Sequence, residues 1–406
     1  MAEKNVNKRW FMLAVGILSM LFSGVLYAWS ILKVPFKETF GWSDSVLSLS
    51  YTLTLCFFCI GAFLGSILAK RIGVKLSVIL AGAAVGTGFV STAFLTGERA
   101  YLIYVTYALL AGTGIGIAYN VIISTVSAWF PDKKGLCSGC LMMGFGASTL
   151  ILGNLIAAFF ENESIGFQKT YVIVGIAIAA VLVVSGLLIR KPDPDTVFPA
   201  PKAKKSLKKE DFETKDYTTA EMVKRFTYWR AFVCLVFLTA VGSSVIGFAR
   251  DLVLSVGGAS DLATTLVGVL AVFNGIGRIL TGALFDNAGR KNTMILSNVV
   301  TILAAATTLV AVCVSSLPLC IVGLCLTGLS YGSCPTVVSA FTSAFYGTKH
   351  FAKNFSITQF SLIGAALISS VNGTLLQAAG SYVAPFVVLL SLASVALVLN
   401  FSIKKP

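Results

Sequence analysis

Charged residues are scarce in this chain. Asp, Glu, Lys and Arg make up 12% of its 406 residues, whereas an average soluble domain contains about 25%. Histidine occurs once, at His350. This shortage excludes an ordinary soluble enzyme, a disordered protein and a polar nucleic-acid-binding domain. The formal net charge of +14 would indicate nucleic acid only if the basic residues formed a common patch, so their positions matter.

Long apolar runs dominate the sequence. Apolar residues make up 56% of the chain, and the mean hydropathy is +0.88. A helix needs about 20 apolar residues to cross ~30 Å of hydrocarbon. Twelve runs are long enough, and we number them as spans 1 to 12: 10–32, 46–68, 76–96, 101–128, 136–160, 170–189, 231–249, 262–284, 293–314, 317–345, 355–378 and 383–401. They do not alternate as barrel strands do, so we predict an all-α membrane protein with twelve transmembrane helices.

The positions of Lys and Arg predict the orientation of these helices. With the amino terminus inside, the inner segments hold most of the 31 basic residues, and the outer segments hold only Lys33, Lys37, Arg99, Lys169 and Arg250. Cytoplasmic loops of membrane proteins carry such an excess. We therefore expect both termini to be cytoplasmic and expect no nucleic-acid partner.

The nine cysteines do not form a metal-binding pattern. The CxxC pairs are Cys56/Cys59 and Cys137/Cys140, and the first lies inside an apolar span. Small apolar filler is the better interpretation, and we predict no metal and no cofactor. The sequence also lacks a GxxxxGK[ST] loop, which argues against ATP-driven transport.

The longest polar stretch, 190–230, divides the spans six and six. We predict an amino-terminal six-helix bundle over 1–190, a cytoplasmic linker over 191–228 and a carboxy-terminal six-helix bundle over 229–406. Most of the linker should be solvated.

Two shorter patterns refine this division. Thr218 and Glu221 have the spacing of a capping box, which predicts a short helix before span 7. The two halves also repeat with an offset of 216 residues, as Gly73 and Gly289 illustrate. An internal repeat of six spans is typical of transporters whose site lies between two bundles.

The connection between spans 8 and 9 reads Gly282-Ala-Leu-Phe-Asp286-Asn-Ala-Gly289-Arg290-Lys291. It resembles the G-x-L-x-D-x-x-G-R-K signature of the major facilitator superfamily. In that family the aspartate pairs across the bundle interface when the cytoplasmic side is closed, which implies gating roles for Asp286, Arg290 and Lys291. The first-half copy is degraded. Lys70, followed by Arg71, stands where the aspartate would be, which implies a weaker lock on that side.

Four further segments are similar to the oxalate/formate antiporter family. They are Trp129-Phe-Pro-Asp-Lys-Lys-Gly135 after span 4, Asn274-Gly-Ile-Gly-Arg278 in span 8, Tyr27-Ala-Trp29 in span 1 and Lys353-Asn354-Phe355 at the entry to span 11. Gly247-Phe-Ala-Arg250-Asp251 also resembles the pyruvate- and lactate-related members of this family. The resemblance covers essentially the whole chain. It implies the major facilitator fold, a secondary transporter of small organic anions and a monomer. The compact loops are typical of a bacterial protein of the plasma membrane.

Arg278 is the one charge inside a span. A charge at mid-membrane costs about 2.5–3.5 kcal/mol on insertion scales, and arginine cannot shed its proton to avoid this cost. No Asp or Glu lies inside any predicted span to pair with it. The partner is therefore a set of carbonyl oxygens or a substrate anion. A planar guanidinium matches a carboxylate, which favours anion binding.

Polar residues near Arg278 complete a candidate substrate site. Asn274 precedes it by four residues, on the same helix face. Amide and phenol groups orient a carboxylate without adding charge, so Tyr119, Asn120, Tyr331 and Tyr27 are further candidates. Packing or interfacial anchoring is an alternative for each tyrosine. The glycines near them favour either a cavity or close helix packing at small-xxx-small spacing: Gly112, Gly116, Gly328 and Gly332.

The candidate site carries a single positive charge. Oxalate-type members of the family have a second buried cation in span 11, and Leu362 stands at that position here. A divalent anion at a singly positive site would leave net charge in a poor dielectric. Apolar Leu362 and Phe360 suit a short alkyl end instead. Arg250, beside Asp251, either attracts anions into an outer vestibule or forms a local ion pair.

These observations predict a secondary active transporter for a small monocarboxylate of the lactate or pyruvate type. A dicarboxylate or oxalate/formate antiporter is the alternative. A sensor would need a signalling domain, and an enzyme would need catalytic groups that the spans lack. Coupling to a proton and exchange against a second anion fit the sequence equally well. The expected partners are therefore a small carboxylate, a proton or counter-anion, and the lipid bilayer.

Overall fold

The computed structural model describes residues 2–193, 196, 198 and 215–404. Within these residues the chain is helical and contains no strand. The first part contains nine α-helices: α1 (Ala2–Ser23), α2 (Trp29–Leu32), α3 (Val34–Phe40), α4 (Asp44–Arg71), α5 (Gly73–Ala93), α6 (Thr113–Ser127), α7 (Lys134–Ser148), α8 (Asn154–Glu161) and α9 (Gly166–Leu188). Short 3₁₀ or π segments join several of them, at Gly24–Ala28, Gly97–Leu102, Tyr104–Gly112 and Thr149–Gly153.

The second part contains seven helices: α10 (Thr219–Val223), α11 (Phe226–Ser255), α12 (Ser260–Cys313), α13 (Leu317–Tyr346), α14 (Phe351–Thr358), α15 (Ser361–Ala379) and α16 (Val383–Ser402). The helix predicted before span 7 is confirmed as α10. Thr218 and Glu221 form the predicted capping box at its start. Of the predicted linker, residues 194–195, 197 and 199–214 lie outside the described residues.

Eleven segments of the described chain are long and apolar enough to cross a membrane. One of them, Thr265–Cys313, has 49 residues, which is about 74 Å of helix and more than twice the membrane thickness. It breaks at Gly289, where φ is 74° and ψ is 177°, a conformation open mainly to glycine. Predicted spans 8 and 9 are therefore joined by a one-residue break, and the eleven segments of the described chain correspond to the twelve predicted apolar runs.

The chain divides into two compact units. The first comprises Met1–Asp132 and Gly144–Lys202, and the second comprises Lys133–Met143 and Ala203–Pro406. In the first unit α4 packs on α6 and α5 on α9, and in the second α12 packs on α13 and α11 on α15 and α16. The start of α7 thus groups with the second unit, although it precedes the linker. The predicted boundaries at 190 and 229 stay a prediction.

The same close contact of a glycine with a neighbouring helix occurs inside each unit. In the first unit, a Cβ on Gly116 would collide with the Phe58 carbonyl on the neighbouring helix. In the second unit, a Cβ on Gly332 would collide with the carbonyl of Asn274. Each residue of the second pair follows its counterpart in the first pair by 216 positions. Gly112 and Gly328 repeat the relationship one turn earlier, against the carbonyls of Thr54 and Leu270. The packing interpretation of these glycines therefore holds, because only glycine allows the two backbones to approach so closely.

The end of the linker is attached to the second unit. Asp216 accepts hydrogen bonds from the backbone N–H groups of Thr348, at 2.9 Å, and Lys349, at 3.0 Å. The Asn354 amide donates to the Tyr217 carbonyl at 2.9 Å. These bonds join the residues before α10 to the connection between α13 and α14 and to α14 itself.

Candidate functional site

Arg278 is buried in α12 and is 2% exposed. Its Nε donates a hydrogen bond to Oδ1 of Asn274 at 3.1 Å. This contact follows from helical geometry, because residues four apart lie on one face. Its Nη1 donates to the backbone carbonyl of Met142 in α7. Both acceptors are uncharged, so within the described residues the guanidinium is buried with neutral partners only.

A hydroxyl from α13 completes these surroundings. Thr336 Oγ1 donates to the Arg278 carbonyl at 3.3 Å and lies 3.9 Å from the Met142 sulfur. Buried cations are costly unless they are paired or well hydrogen-bonded. Among the described residues, Arg278 therefore has hydrogen-bonding partners that hold its position and no acidic side chain that pairs with its charge.

The start of α7 packs closely against α12. A Cβ on Gly135 would collide with the Gly282 carbonyl, and the reverse also holds. A Cβ on Gly139 would lie 2.5 Å from the Arg278 carbonyl oxygen. The paired glycines therefore allow the backbone of α7 to approach the residue that carries the buried charge.

Asp286 lies at the other end of this contact. Its two carboxylate oxygens accept hydrogen bonds from the backbone N–H groups of Gly135 and Leu136, each at 2.8 Å. The first turn of a helix leaves such N–H groups without intrahelical acceptors, and its dipole favours a negative charge there. Asp286 is therefore a carboxylate cap on α7.

The other predicted gating residues have different surroundings. Arg290 donates to the Ile403 carbonyl at 3.3 Å, and its guanidinium carbon lies 4.8 Å from the centre of the Phe345 ring. Lys291 is exposed after the Gly289 break. The corresponding residues of the first half, Lys70 and Arg71, are exposed at the end of α4.

Two of the predicted tyrosines lie in the first unit, around Phe145. The Tyr119 ring is 5.0 Å from the Phe145 ring, and the Tyr27 ring is 5.3 Å from it. Phe58 completes the cluster, 5.1 Å from Tyr119. Asn120, next to Tyr119 in α6, is fully buried.

Tyr331 lies in the second unit and packs on Gly242 of α11. A Cβ at Gly242 would collide with the Tyr331 ring, and Tyr331 is 8% exposed. The glycine therefore creates the space that this ring occupies. The arrangement shows why α11 has a glycine here and how Tyr331 is held.

Predicted span 11 is interrupted near the residues that we proposed for the alkyl end. Helix α14 ends at Thr358 and α15 begins at Ser361. Phe360 lies at this break, Leu362 follows it, and both are half-buried. Arg250 is exposed near the end of α11, after an irregular residue at Phe248.

Sequence reasoning missed two contributors to the Arg278 environment. A backbone carbonyl carries no sequence signal, so Met142 had none. Thr336 did carry a sequence signal, because the 216-residue offset maps it onto Asn120, which the sequence predicts as a site residue. Gly135 and Gly139 also have the small-xxx-small spacing of a helix contact.

Comparison with known proteins identifies the family. The family model described as Major Facilitator Superfamily matches residues 10–248 and 231–406. The chain belongs to the major facilitator superfamily. With the membrane-length segments of the described chain, this makes it a multi-pass membrane protein, as predicted.

Relatives of this transporter include proteins from bacteria and vertebrates. The uncharacterized MFS-type transporter YhjX of Escherichia coli (strain K12) is 28% identical over 86% of this chain and 83% of its own. The oxalate:formate antiporter of Oxalobacter formigenes is 28% identical over 71% of this chain and 66% of its own. Human monocarboxylate transporter 12 is 26% identical over 88% of this chain and 72% of its own. They support the predicted resemblance to the oxalate/formate-like family.

Solved structures agree on the fold. The proton:xylose symporter XylE superposes with a TM-score of 0.73 over 100% of this chain and 97% of its own, at 13% sequence identity. All of these matched proteins are transporters, none an enzyme. At this level of identity the likeness to XylE concerns the architecture alone.

Proposed function

We propose that this transporter moves a small organic monocarboxylate, of the lactate or pyruvate type, across the membrane by alternating access. Arg278 is the residue that binds the carboxylate. The observation that carries this proposal is its burial, within the part of the chain that the structure describes, with neutral partners only, Asn274 and the Met142 carbonyl. A carboxylate supplies the missing negative charge and accepts two parallel N–H bonds from a guanidinium.

Charge balance favours a monoanion. One buried cation neutralises one negative charge, whereas a dianion would retain a net charge at low dielectric. Leu362 and Phe360 supply apolar surface for a short alkyl group. The names of two relatives support this choice: human monocarboxylate transporter 12, and the apicoplast pyruvate carrier 1 of Toxoplasma gondii, 36% identical over 26% of this chain and 19% of its own.

Other predicted residues have supporting roles in this proposal. Asn274 orients Arg278 through their 3.1 Å hydrogen bond. Hydroxyl and amide groups line the substrate path, Arg250 attracts anions on the outer side, and Asp286 closes the cytoplasmic side. The path residues are Tyr27, Tyr119, Asn120 and Tyr331. In this arrangement both termini are cytoplasmic, as the positive-inside rule predicts, and the protein works in a bacterial plasma membrane.

Oxalate/formate exchange is the second candidate. The similarity to the oxalate:formate antiporter of Oxalobacter formigenes favours it. It requires a site that accepts a dianion in one direction and a monoanion in the other. The two candidates therefore differ in their response to oxalate and in their need for a counter-anion.

The test is uptake of radiolabelled lactate into proteoliposomes, with and without an acid-outside gradient. Unlabelled pyruvate, formate and oxalate serve as competitors. The proposal predicts saturable lactate uptake that pyruvate blocks and oxalate does not. Stimulation by the gradient would indicate proton coupling, and stimulation by preloaded pyruvate would indicate exchange. Uptake that requires preloaded formate and is blocked by oxalate would overturn the monocarboxylate proposal in favour of the second candidate.

A further inference from the structure

The first ten residues of α7, 134–143, contact α12 and α13 at four points along their length. Asp286 caps the start, at Gly135 and Leu136. Ser138 Oγ lies 2.9 Å from Ser339 Oγ of α13, within hydrogen-bonding distance. Gly139 lies against the Arg278 backbone, and near the end the Met142 carbonyl accepts a bond from the Arg278 side chain. One group, the Arg278 guanidinium, thus takes part both in this contact and in the substrate site proposed above.

We propose that the Met142 carbonyl occupies the position on the Arg278 guanidinium for which the substrate carboxylate competes. An incoming carboxylate takes its place on Arg278 and thereby frees residues 134–143 from α12. This inference rests on the proposed function, since it requires an anion at Arg278. It assigns to Met142 a positioning role and identifies how occupancy of the site is communicated to the helix start that Asp286 caps.

The chemistry of the two acceptors favours this exchange. A bond from a guanidinium to a carboxylate is roughly twice as strong as one to a neutral acceptor, so the substrate outcompetes the carbonyl. The carbonyl also loses little. It has two lone pairs, and as part of α7 it is positioned to accept an intrahelical bond from the residue four positions later. Displacement therefore leaves no buried acceptor without a partner.

Displacement of the Met142 carbonyl by the substrate predicts the direction in which two variants change the affinity for lactate. The contacts that hold residues 134–143 on α12 and α13 oppose substrate binding, so weakening them tightens binding. Ser138→Ala removes the bond to Ser339, and Ser339→Ala removes the same bond from the other side. One interhelical hydrogen bond in a membrane protein corresponds to about a threefold change in affinity. Both variants should lower the Kd for lactate by about threefold.

The experiment combines hydrogen exchange with calorimetry on the full-length protein in detergent. Exchange of the amides in 134–143 is measured by mass spectrometry without and with saturating L-lactate or pyruvate. Calorimetry then gives the Kd of the wild type, Ser138→Ala, Ser339→Ala and the control Ser391→Ala. Ser391 is exposed on α16, and its hydroxyl donates to the Val387 carbonyl of the same helix at 2.8 Å.

The expected result is faster exchange in 134–143 on ligand binding, about threefold tighter binding in both variants and no change in the control. A ligand that binds while slowing exchange there or leaving it unchanged overturns the inference and leaves the proposed function intact. Unchanged or weaker binding of lactate in both serine variants would also overturn the inference and leave the proposed function intact. Absence of any binding of lactate or pyruvate to the wild type overturns the proposed function, and the inference with it.

Discussion

The Asp286 carboxylate accepts a hydrogen bond from the backbone N–H of Gly135 at 2.8 Å, across 151 positions of sequence. Its other oxygen accepts from Leu136. Asp286→Asn leaves one of these N–H groups facing an amide donor, which costs about 1–3 kcal/mol for a buried group. We expect faster amide exchange at Gly135 and Leu136 and a lower melting temperature in detergent. Asp251→Asn, at an exposed acid, is the control. Equal exchange in Asp286→Asn and the wild type would refute the cap.

Gly332→Ala tests the helix contact beside Asn274. The new Cβ would collide with the Asn274 carbonyl, and overpacking of this kind costs about 1–3 kcal/mol. Because Asn274 holds Arg278, we expect both a lower melting temperature and several-fold weaker lactate binding by calorimetry. Gly112→Ala is the control, because its Cβ would lie 2.9 Å from the Thr54 carbonyl. Gly112→Ala should lower the melting temperature without weakening lactate binding. Equal loss of affinity in both variants would argue against the role of Asn274.

Leu362→Lys tests the charge-balance argument. A second cation near the site would neutralise a second carboxylate, so oxalate should compete with lactate at a concentration at least about tenfold lower, or 1.4 kcal/mol. Lactate uptake itself should fall. The measurement is competition in proteoliposomes, with Leu362→Met as the size-matched control. No gain of oxalate competition would contradict the argument that one cation selects a monoanion.

Glu221→Gln tests the capping box of α10, outside the membrane spans. The backbone N–H of Thr218 donates to the Glu221 carboxylate at 2.7 Å and lowers its pKa. A lowered folded-state pKa stabilises the charged form, so this stabilisation is present above the unfolded pKa of about 4.3 and is lost as the pH falls through the lowered value. We expect faster amide exchange over residues 216–224 in the variant at pH 7. The difference in amide exchange between the variant and the wild type should vanish once the pH lies below the lowered pKa of Glu221. A difference that does not change with pH would contradict this account.

The sequence predicted the fold because span length, charge asymmetry and the 216-residue repeat are all local or periodic signals. The helical contact between Asn274 and Arg278 followed from spacing for the same reason. The position of the α7 start was not predictable, since it depends on how the Gly135 backbone fits against Gly282. Nor was the Met142 carbonyl, because every residue carries one and only tertiary packing selects it. The substrate roles of the site residues remain predictions.

The central claim is that Arg278 binds the carboxylate of the substrate, and Arg278→Lys tests it most directly. Lysine retains the charge but lacks the planar pair of donors. The measurement is initial lactate uptake in proteoliposomes, with Arg99→Lys, at an exposed arginine, as the control. The account predicts that uptake falls at least about tenfold, or 1.4 kcal/mol in kcat/KM, in Arg278→Lys and is unchanged in the control. Near-normal uptake by Arg278→Lys would contradict it.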